Sequence, residues 1–312
     1  MLSFLPAPLL GVIAGLLLFL NILVWVPILL VVALVKLLLP FKPVRLWLDP
    51  LLLRIAEAWI AGNSGWMRLT QTMDWQVSGL ADVSPRQWYL VVCNHQSWVD
   101  ILVLQHVLNR RIPLLKFFLK KELIWVPIMG LAWWALEFPF MRRRSEAYLK
   151  AHPEERGKDA ATTRAACEKY ALVPTSVMNF LEGTRFTPAK QARQQSPYQH
   201  LLKPKAGGVT LALEAMGEKF GAVLDVTIVY PDGPPQFVQF LMGRVHRMVV
   251  HVRTLPVPKA EPTASQAREQ ALRETCQRWV NQLWADKDAL ISNTLKGQNK
   301  ASPQGRSVVS YH

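Results

Sequence analysis

Residues 88–104, WYLVVCNHQSWVDILVL, decide the fold of this 312-residue chain. The first six residues form an apolar run that is typical of a buried strand, and the apolar stretch 101–108 is typical of a helix. Between them the sequence predicts a turn that holds His95. A helix is then expected to start at Ser97 as N-cap, with Asp100 three residues later as an acidic capping partner. This strand–turn–helix unit indicates an α/β chain.

Strands and helices continue to alternate along the chain, which predicts a mixed sheet flanked by helices. We expect strands at 176–181, 223–229 and 248–252, helices at 206–216 and 270–284, and a loop at 188–200. The polar segments 94–100 and 182–185 each follow a predicted strand. Ligands bind beyond the carboxyl ends of the strands in such sheets, so these two segments are the candidate site.

Residues 4–40 are almost wholly apolar, and Lys36 is the only charged side chain among the first 40 residues. A helix spans a bilayer with about 20 residues, and this run is nearly twice that length. It predicts one long tilted membrane helix or a helical hairpin bent near Asn21 or Pro27. A buried core helix is disfavoured, because soluble helices are seldom apolar on every face for so long. The basic residues that follow the run argue against a cleaved signal peptide and predict a cytoplasmic location for the rest.

The chain is expected to have three parts: a membrane-anchoring segment at 1–45, one large domain at 46–296 and a disordered tail at 297–312. Within the domain, the Trp-rich stretch 112–141 is interrupted by charged residues, proline and glycine. It fits broken helices at a lipid–water boundary or, alternatively, an ordinary aromatic core.

The composition limits the classes of partner. Hydrophobic residues make up 51% of the chain, which excludes a disordered protein, and 36 Lys+Arg against 22 Asp+Glu give a net charge of +14. The partners are therefore expected to be anionic. Because no helix-turn-helix, RNA-recognition or zinc-finger motif is present, we predict a membrane surface rather than nucleic acid. Three scattered cysteines exclude a disulfide framework and a zinc ribbon, and no metal site is predicted.

The pair His95 and Asp100 is the candidate for acid–base chemistry. Histidine takes up a proton near neutral pH, and it does so better when a carboxylate fixes its tautomer. The alternative is that Asp100 only caps the helix and His95 lies on the surface. The sequence has no GxSxG serine elbow. A base without a protein nucleophile is expected to activate a substrate hydroxyl, with direct transfer from a donor to an alcohol.

Residues 182–185, EGTR, form the second candidate cluster. Their glycine lets the backbone approach a ligand, and the Arg185 guanidinium suits bidentate binding of phosphate. The arginine run 142–144 is a further basic patch or, alternatively, a solvated or membrane-facing run. Lys203 and Lys205, just before a predicted helix, are weaker candidates for holding an anion.

These segments resemble blocks of the 1-acylglycerol-3-phosphate (lysophosphatidic acid) acyltransferases. The matching blocks are 94–100 (NHQSWVD, their NHxxxxD block), 140–143 (FMRR, their FxxR block), 182–185 (their EGTR block) and 226–231 (VTIVYP, their late strand ending near proline). The blocks follow the family's order. Where the middle block often begins with glycine, this chain has Glu137. The apolar N-terminus and the Trp-rich stretch resemble a bacterial inner-membrane branch.

The resemblance implies a role for each matching residue. It implies that His95 deprotonates the acceptor hydroxyl and that Asp100 orients the imidazole. The residues implied to bind the acceptor phosphate or shape its site are Arg143, Glu182, Gly183, Thr184 and Arg185. Either neighbour of Arg143 in the arginine run could take its place. The donor would be an acyl thioester of coenzyme A or acyl carrier protein, and no cofactor is implied.

The implied activity is transfer of a fatty acyl group to the free hydroxyl of lysophosphatidic acid, which forms phosphatidic acid. The enzyme would be bound to a bacterial inner membrane, with its site on the cytoplasmic side. Two alternatives stay open: a lysophospholipid acyltransferase that acts in acyl-chain remodelling, and a non-catalytic membrane protein that binds anionic lipid.

Overall fold

The computed structural model describes residues 2–39, 41–141, 152, 158–170, 173–259 and 265–300. Two long helices come first, α1 (Ala7–Leu38) and α2 (Lys42–Thr70). The following elements, which we call the sheet domain, begin with β1 (Asp74–Ser78), β2 (Trp88–Cys93), α3 (Val99–Leu108), β3 (Leu115–Phe117), β4 (Leu119–Lys120), a 3₁₀ helix (Lys121–Trp125), α4 (Met129–Ala135) and β5 (Phe140–Met141). They continue with α5 (Lys158–Tyr170), β6 (Ser176–Phe180), α6 (Pro188–Gln194), α7 (Gly207–Met216), β7 (Phe220–Val229), α8 (Phe237–Leu241), β8 (Arg247–Leu255) and α9 (Ser265–Lys300).

Six strands form the main sheet in the order β1-β8-β7-β2-β6-β3, and β4 and β5 form a separate small parallel pair. Strands β7 and β8 are antiparallel, whereas the other neighbours in the main sheet are parallel. This arrangement confirms the predicted mixed sheet flanked by helices. Strand β2 lies inside the sheet, and its residues 89–93 are all buried. A parallel strand covered on both faces needs such an unbroken apolar run.

The core is divided by the sheet into two clusters. Successive strand side chains point to opposite faces. Val91 of β2 therefore packs with residues of α3 and of the α1–α2 pair, whereas Val92 packs with residues of α5, α7 and α9. Because β2 and β6 are parallel neighbours, their carboxyl ends lie side by side at one edge of this core.

Helix α1 is continuous through Asn21 and Pro27, so of the two predicted forms the single long helix matches the structure and the hairpin bent at these residues does not. It pairs with α2 in an antiparallel manner: the Leu2 N–H donates to the Leu69 carbonyl at 2.9 Å. The Asn21 amide donates to the Trp59 carbonyl and to an Asn63 side chain on α2, each at 2.9 Å. The polar Asn21 is thus satisfied between two helices. Among the described residues, α1 is the one helix long and apolar enough to cross a membrane.

Three local expectations need correction. The predicted loop at 188–200 contains the short helix α6, which Thr187 caps by accepting a hydrogen bond from the Lys190 N–H. The stretch 112–141 is more than broken helices, because it contributes β3 to the main sheet. Helix α9 runs through residues 297–300, so the tail prediction is wrong for these four, and residues 301–312 lie outside the described chain.

The boundary predicted between residues 45 and 46 falls inside α2, which starts at Lys42. Helix α2 packs along α1, so these two helices form an antiparallel pair. The domain division itself stays a prediction.

Candidate active site

His95 lies in the turn directly after β2. Its Nδ1 lies 2.8 Å from Oδ2 of Asp100, which is fully buried, while the His95 side chain is 13% exposed. The two residues meet because residues 94–98 form a turn and the helix starts only at Val99. The structure thus brings together the pair on which the sequence prediction depended, and Asp100 does more than cap a helix.

The Asp100 carboxylate is held by four donors. Its Oδ2 accepts from the Gln96 N–H at 2.6 Å and the Ser97 N–H at 2.9 Å, besides the imidazole. Its Oδ1 accepts from the buried hydroxyl of Tyr230 at 2.6 Å. A carboxylate in this setting acts as acceptor, so Nδ1 of His95 carries a proton and Nε2 is left as the basic nitrogen. Tyr230 belongs to the block at residues 226–231, and no local pattern in the sequence predicts its contact with Asp100.

The imidazole is fixed on one face by an aromatic ring. Phe180, the last residue of β6, stacks on His95 with ring centroids 4.0 Å apart and planes 14° apart. Phe117 and Phe138 continue the stack, with successive centroid distances of 6.0 and 6.4 Å. Sequence reasoning missed Phe180 as a site residue, although it directly precedes the second cluster.

Ser97 differs from the prediction. The N-cap position of α3 is Trp98 rather than Ser97. The Ser97 hydroxyl still accepts from the Val99 N–H at 3.1 Å, and it donates to the Pro235 carbonyl at 2.6 Å. Ser97 therefore links the turn to the loop after β7, and its oxygen is occupied by these structural bonds.

Glu182 anchors the backbone around the site. Its fully buried carboxylate accepts from the His95 N–H at 2.8 Å and from the Leu202 N–H at 3.0 Å. Burial raises the pKa of Glu182 from its ordinary value of 4.5 to about 8, although these two bonds oppose the rise. A second link joins the clusters, since the Phe186 N–H donates to the His95 carbonyl at 2.7 Å. Glu182 thus positions the histidine turn.

Cations surround the rest of the EGTR segment. Gly183 has a φ of +66°, a conformation that favours glycine, and the Lys205 side chain lies beside it. The Thr184 hydroxyl accepts from the Lys190 ammonium at 2.8 Å. The exposed Arg185 guanidinium lies 4.6 Å from the centroid of the Trp98 ring. The turn that carries His95 is therefore adjacent to three cations that could hold an anion.

Two further observations concern neighbouring blocks. Asn94 is fully buried, and its amide exchanges two 2.9 Å hydrogen bonds with the Ile228 backbone, which ties the end of β2 to β7. Arg143 and the other residues of the arginine run lie outside the described residues. Strand pairing places Lys120 opposite Met141, the residue just before that run. Glu137, at the position where the resembling family often has glycine, has a φ of +59°.

Comparison with known proteins gives a consistent result. The model of the Acyltransferase family matches residues 74–231, just over half of the chain. The chain is 25% identical over 242 residues to 1-acyl-sn-glycerol-3-phosphate acyltransferase gamma of Mus musculus, which covers 72% of this chain and 58% of that protein. It is 25% identical over 239 residues to lysocardiolipin acyltransferase 1 of Gallus gallus, with coverage of 72% and 58%. The chain thus spans about three fifths of the length of these relatives.

A solved structure is similar in fold. The crystal structure of the 1-acyl-sn-glycerophosphate (LPA) acyltransferase PlsC from Thermotoga maritima matches with a TM-score of 0.51 and 17% identity, covering 89% of this chain and 98% of that one. At this identity the likeness concerns the fold alone. The family match covers both residue clusters that meet around His95, so the chain belongs to the Acyltransferase family.

Proposed function

We propose that the chain is a membrane-bound acyltransferase that moves a fatty acyl group from an acyl thioester to the free hydroxyl of lysophosphatidic acid. The observation that carries this proposal is the 2.8 Å contact between His95 Nδ1 and the buried Asp100 carboxylate, which leaves Nε2 as a base. No serine elbow accompanies this base in the sequence. Such a base is suited to activate an alcohol directly.

The reaction proceeds by direct attack. His95 Nε2 takes the proton of the acceptor hydroxyl as the hydroxyl oxygen bonds to the thioester carbonyl carbon, and Asp100 stabilises the resulting imidazolium. The tetrahedral oxyanion then collapses, and the carbon–sulfur bond breaks. The leaving thiolate takes the proton back from the imidazolium, so the products are an ester and a free thiol. General base catalysis of this kind contributes about 10²–10⁴-fold.

The acceptor phosphate is assigned to the cations beside the histidine turn. Arg185 lies next to the ring of Trp98, and Trp98 follows His95 by three residues in the sequence. The Lys205 side chain lies beside Gly183. Guanidinium and ammonium groups bind phosphate by charge-assisted hydrogen bonds. We assign Arg143 to the same phosphate on the resemblance, together with Glu182, Gly183 and Thr184 as residues that shape the site.

The apolar surface supports attachment to a membrane. Exposed apolar side chains follow one face of α1 and recur on α2 and near α4. They include Phe19, Val31, Trp47, Trp125 and Trp134, with Trp47 and Trp125 more than four-fifths exposed. Tryptophan and apolar side chains favour the lipid–water boundary. Because α1 packs along α2 and against the sheet domain, we propose that the helical pair rests in one leaflet. We assign it to the cytoplasmic side of a bacterial inner membrane.

An apolar cavity of about 180 Å³ supports a lipid substrate. It lies between α1, α2, α3 and α4, and its lining includes Leu18, Ile60, Leu102, Trp133 and Phe138. Phe138 is also the outer member of the aromatic stack that ends at His95. We propose that part of a substrate's hydrocarbon chain occupies this cavity. The reacting group of that substrate, the thioester carbonyl of the donor or the hydroxyl of the acceptor, would then reach the imidazole.

The test is an acceptor panel with the purified full-length chain in vesicles. Acyl-CoA and acyl carrier protein thioesters would each be offered with lysophosphatidic acid and other lysophospholipids, followed by mass spectrometry of the lipids and measurement of free thiol. We expect phosphatidic acid as the main product. One relative is a lysocardiolipin acyltransferase, so a remodelling enzyme is the second candidate, and preferred acylation of a different lysophospholipid would establish it. If no thiol is released with any acceptor, the enzymatic proposal is wrong.

A further inference from the structure

A second group of cations lies at the edge of the sheet, beside β3. Two adjoining cavities there have volumes of about 390 and 220 Å³. The residues that line both cavities are Lys36, Arg45, Ala135, Glu137 and Lys169. His95, Asp100 and Arg185 line neither of them. We call this pair of cavities the edge site.

Lys116 of β3 reaches the smaller cavity from the protein interior. The residue is only 8% exposed, and its ammonium lies 4.4 Å from the centroid of the Tyr170 ring. In the described part of the chain, no carboxylate forms a hydrogen bond or an ion pair with it. Burial lowers the pKa of Lys116 to about 8, and nearby Glu137 opposes this change. A buried ammonium without a paired anion is costly, so the cavity is suited to an anionic ligand.

The carboxylates of the edge site are already used. Lys36, near the end of α1, contacts Asp49 at 2.6 Å and Glu137 at 3.2 Å. The other cations, Arg45, Lys116 and Lys169, form no ion pair with any residue that the structure describes. Four cations and two carboxylates leave the lining with a net charge of +2 when Lys116 is protonated. Arg45 and Lys169 are exposed, so a ligand can reach them from outside.

The surroundings of the edge site point to a lipid. Leu37 and Trp134 line the larger cavity and are 60% and 50% exposed. Leu46 and Trp47, which follow Arg45 on α2, are 76% and 82% exposed. A cationic cavity bordered by exposed apolar side chains fits a phosphate group attached to hydrocarbon chains.

We propose that the edge site binds the phosphate headgroup of an anionic phospholipid, separately from the acceptor site at His95. Lys116 contacts the phosphate from within, Arg45 and Lys169 contact it from the surface, and the acyl chains lie along the exposed face of α1 and α2. This proposal does not depend on which acyl acceptor the enzyme uses.

The test is calorimetric titration of the detergent-solubilised full-length chain with three soluble probes: dihexanoyl phosphatidylglycerol, dihexanoyl phosphatidylcholine and inorganic phosphate. We expect the phosphatidylglycerol to bind at least about tenfold more tightly than either of the others, because it combines net charge with hydrocarbon. Equal affinity for phosphatidylcholine would contradict a charge-selective site. Equal affinity for inorganic phosphate would contradict a lipid site.

Variants locate the binding. Lys116→Met is expected to weaken phosphatidylglycerol binding about tenfold, the value of one charge-assisted hydrogen bond. Lys169→Gln is expected to weaken this binding about two- to threefold, and because Lys169 is exposed the change does not threaten the fold. The matched control is Lys219→Gln, which changes an exposed lysine that lines neither cavity. Arg185→Ala should leave the affinity unchanged. If Arg185→Ala abolishes binding while Lys116→Met and Lys169→Gln have no effect, the lipid binds at the His95 site and the proposal is wrong.

Discussion

The Tyr230 hydroxyl donates a 2.6 Å hydrogen bond to Oδ1 of Asp100, across 130 residues of sequence. Both groups are buried, and burial together with the Asp100 charge raises the pKa of Tyr230 well above its usual range. The phenol therefore stays protonated and acts as a donor. It occupies the carboxylate oxygen that does not contact His95, so Tyr230 acts on the imidazole only through Asp100.

Tyr230→Phe is expected to lower kcat several-fold with little change in either KM. Without the phenol, Oδ1 of Asp100 loses its hydrogen bond, so the carboxylate holds the His95 imidazole less firmly in place. The measurement is the steady-state kinetics and a melting curve of both proteins. The control is Tyr198→Phe, which removes a partly exposed hydroxyl bonded to the Asn281 carbonyl. A lower melting temperature with an unchanged kcat would mean that Tyr230 only supports the fold.

Asp100→Asn tests the role of the carboxylate charge. The amide oxygen can still accept from the Gln96 and Ser97 N–H groups, but the negative charge that stabilises the His95 imidazolium is lost. We expect kcat to fall about 10²–10⁴-fold, because general base catalysis is impaired. We also expect Tm to fall, because buried hydrogen bonds to a charged acceptor are replaced by weaker bonds to a neutral amide. Steady-state kinetics and a melting curve check both parts. Retention of more than about a tenth of the activity would contradict the assigned role of the pair.

Arg185→Ala should raise the KM for lysophosphatidic acid about tenfold, because one charge-assisted hydrogen bond to phosphate is lost. The KM for the acyl donor should stay within about twofold. Arg193→Ala is the matched control, since Arg193 is an exposed arginine on the nearby helix α6. Equal increases in both KM values would argue against acceptor phosphate binding at Arg185.

Glu182 gives a prediction about stability. Because the folded-state pKa of this carboxyl is raised to about 8, the folded protein holds a proton there between about pH 4.5 and pH 8 that the unfolded chain has lost. Its contribution to stability therefore falls as the pH rises through this window. We expect Tm to fall less between pH 5 and pH 8 in Glu182→Gln than in the unchanged chain. The exposed Glu218→Gln should behave like the unchanged chain, and an identical pH slope in Glu182→Gln would disprove the prediction.

The sequence predicted those parts of the molecule that local pattern determines. The strand at 88–93 and the helices near 101–108 and 206–216 are confirmed, because each has a clear apolar pattern over consecutive residues. Helix α2 was not predicted, since it contains Pro50 and mixes charged with apolar residues. The bend that was one of two expectations for residues 4–40 is absent. The polar Asn21 does not break α1, because its hydrogen-bond partners lie on α2, about 40 residues away.

The site could be predicted only in part. His95 and Asp100 are five residues apart across a predicted turn, so their contact could be predicted from the sequence. The structure brings the two side chains into contact. The bonds of Glu182 to the His95 and Leu202 backbones depend on how distant loops pack, so they could not be read from the chain. The same holds for Tyr230. Arg143 lies outside the described residues, and its assignment stays a prediction.

The central claim is that the His95 imidazole removes a proton from lysophosphatidic acid in a membrane-bound acyl transfer. The most direct measurement compares the purified full-length chain with His95→Ala in vesicles, recording phosphatidic acid by mass spectrometry and free thiol by absorbance. We predict matched formation of both products by the unchanged chain, a loss of at least about 10²-fold in the variant, and equal vesicle binding by the two proteins. Near-normal turnover by the vesicle-bound His95→Ala variant would contradict the account.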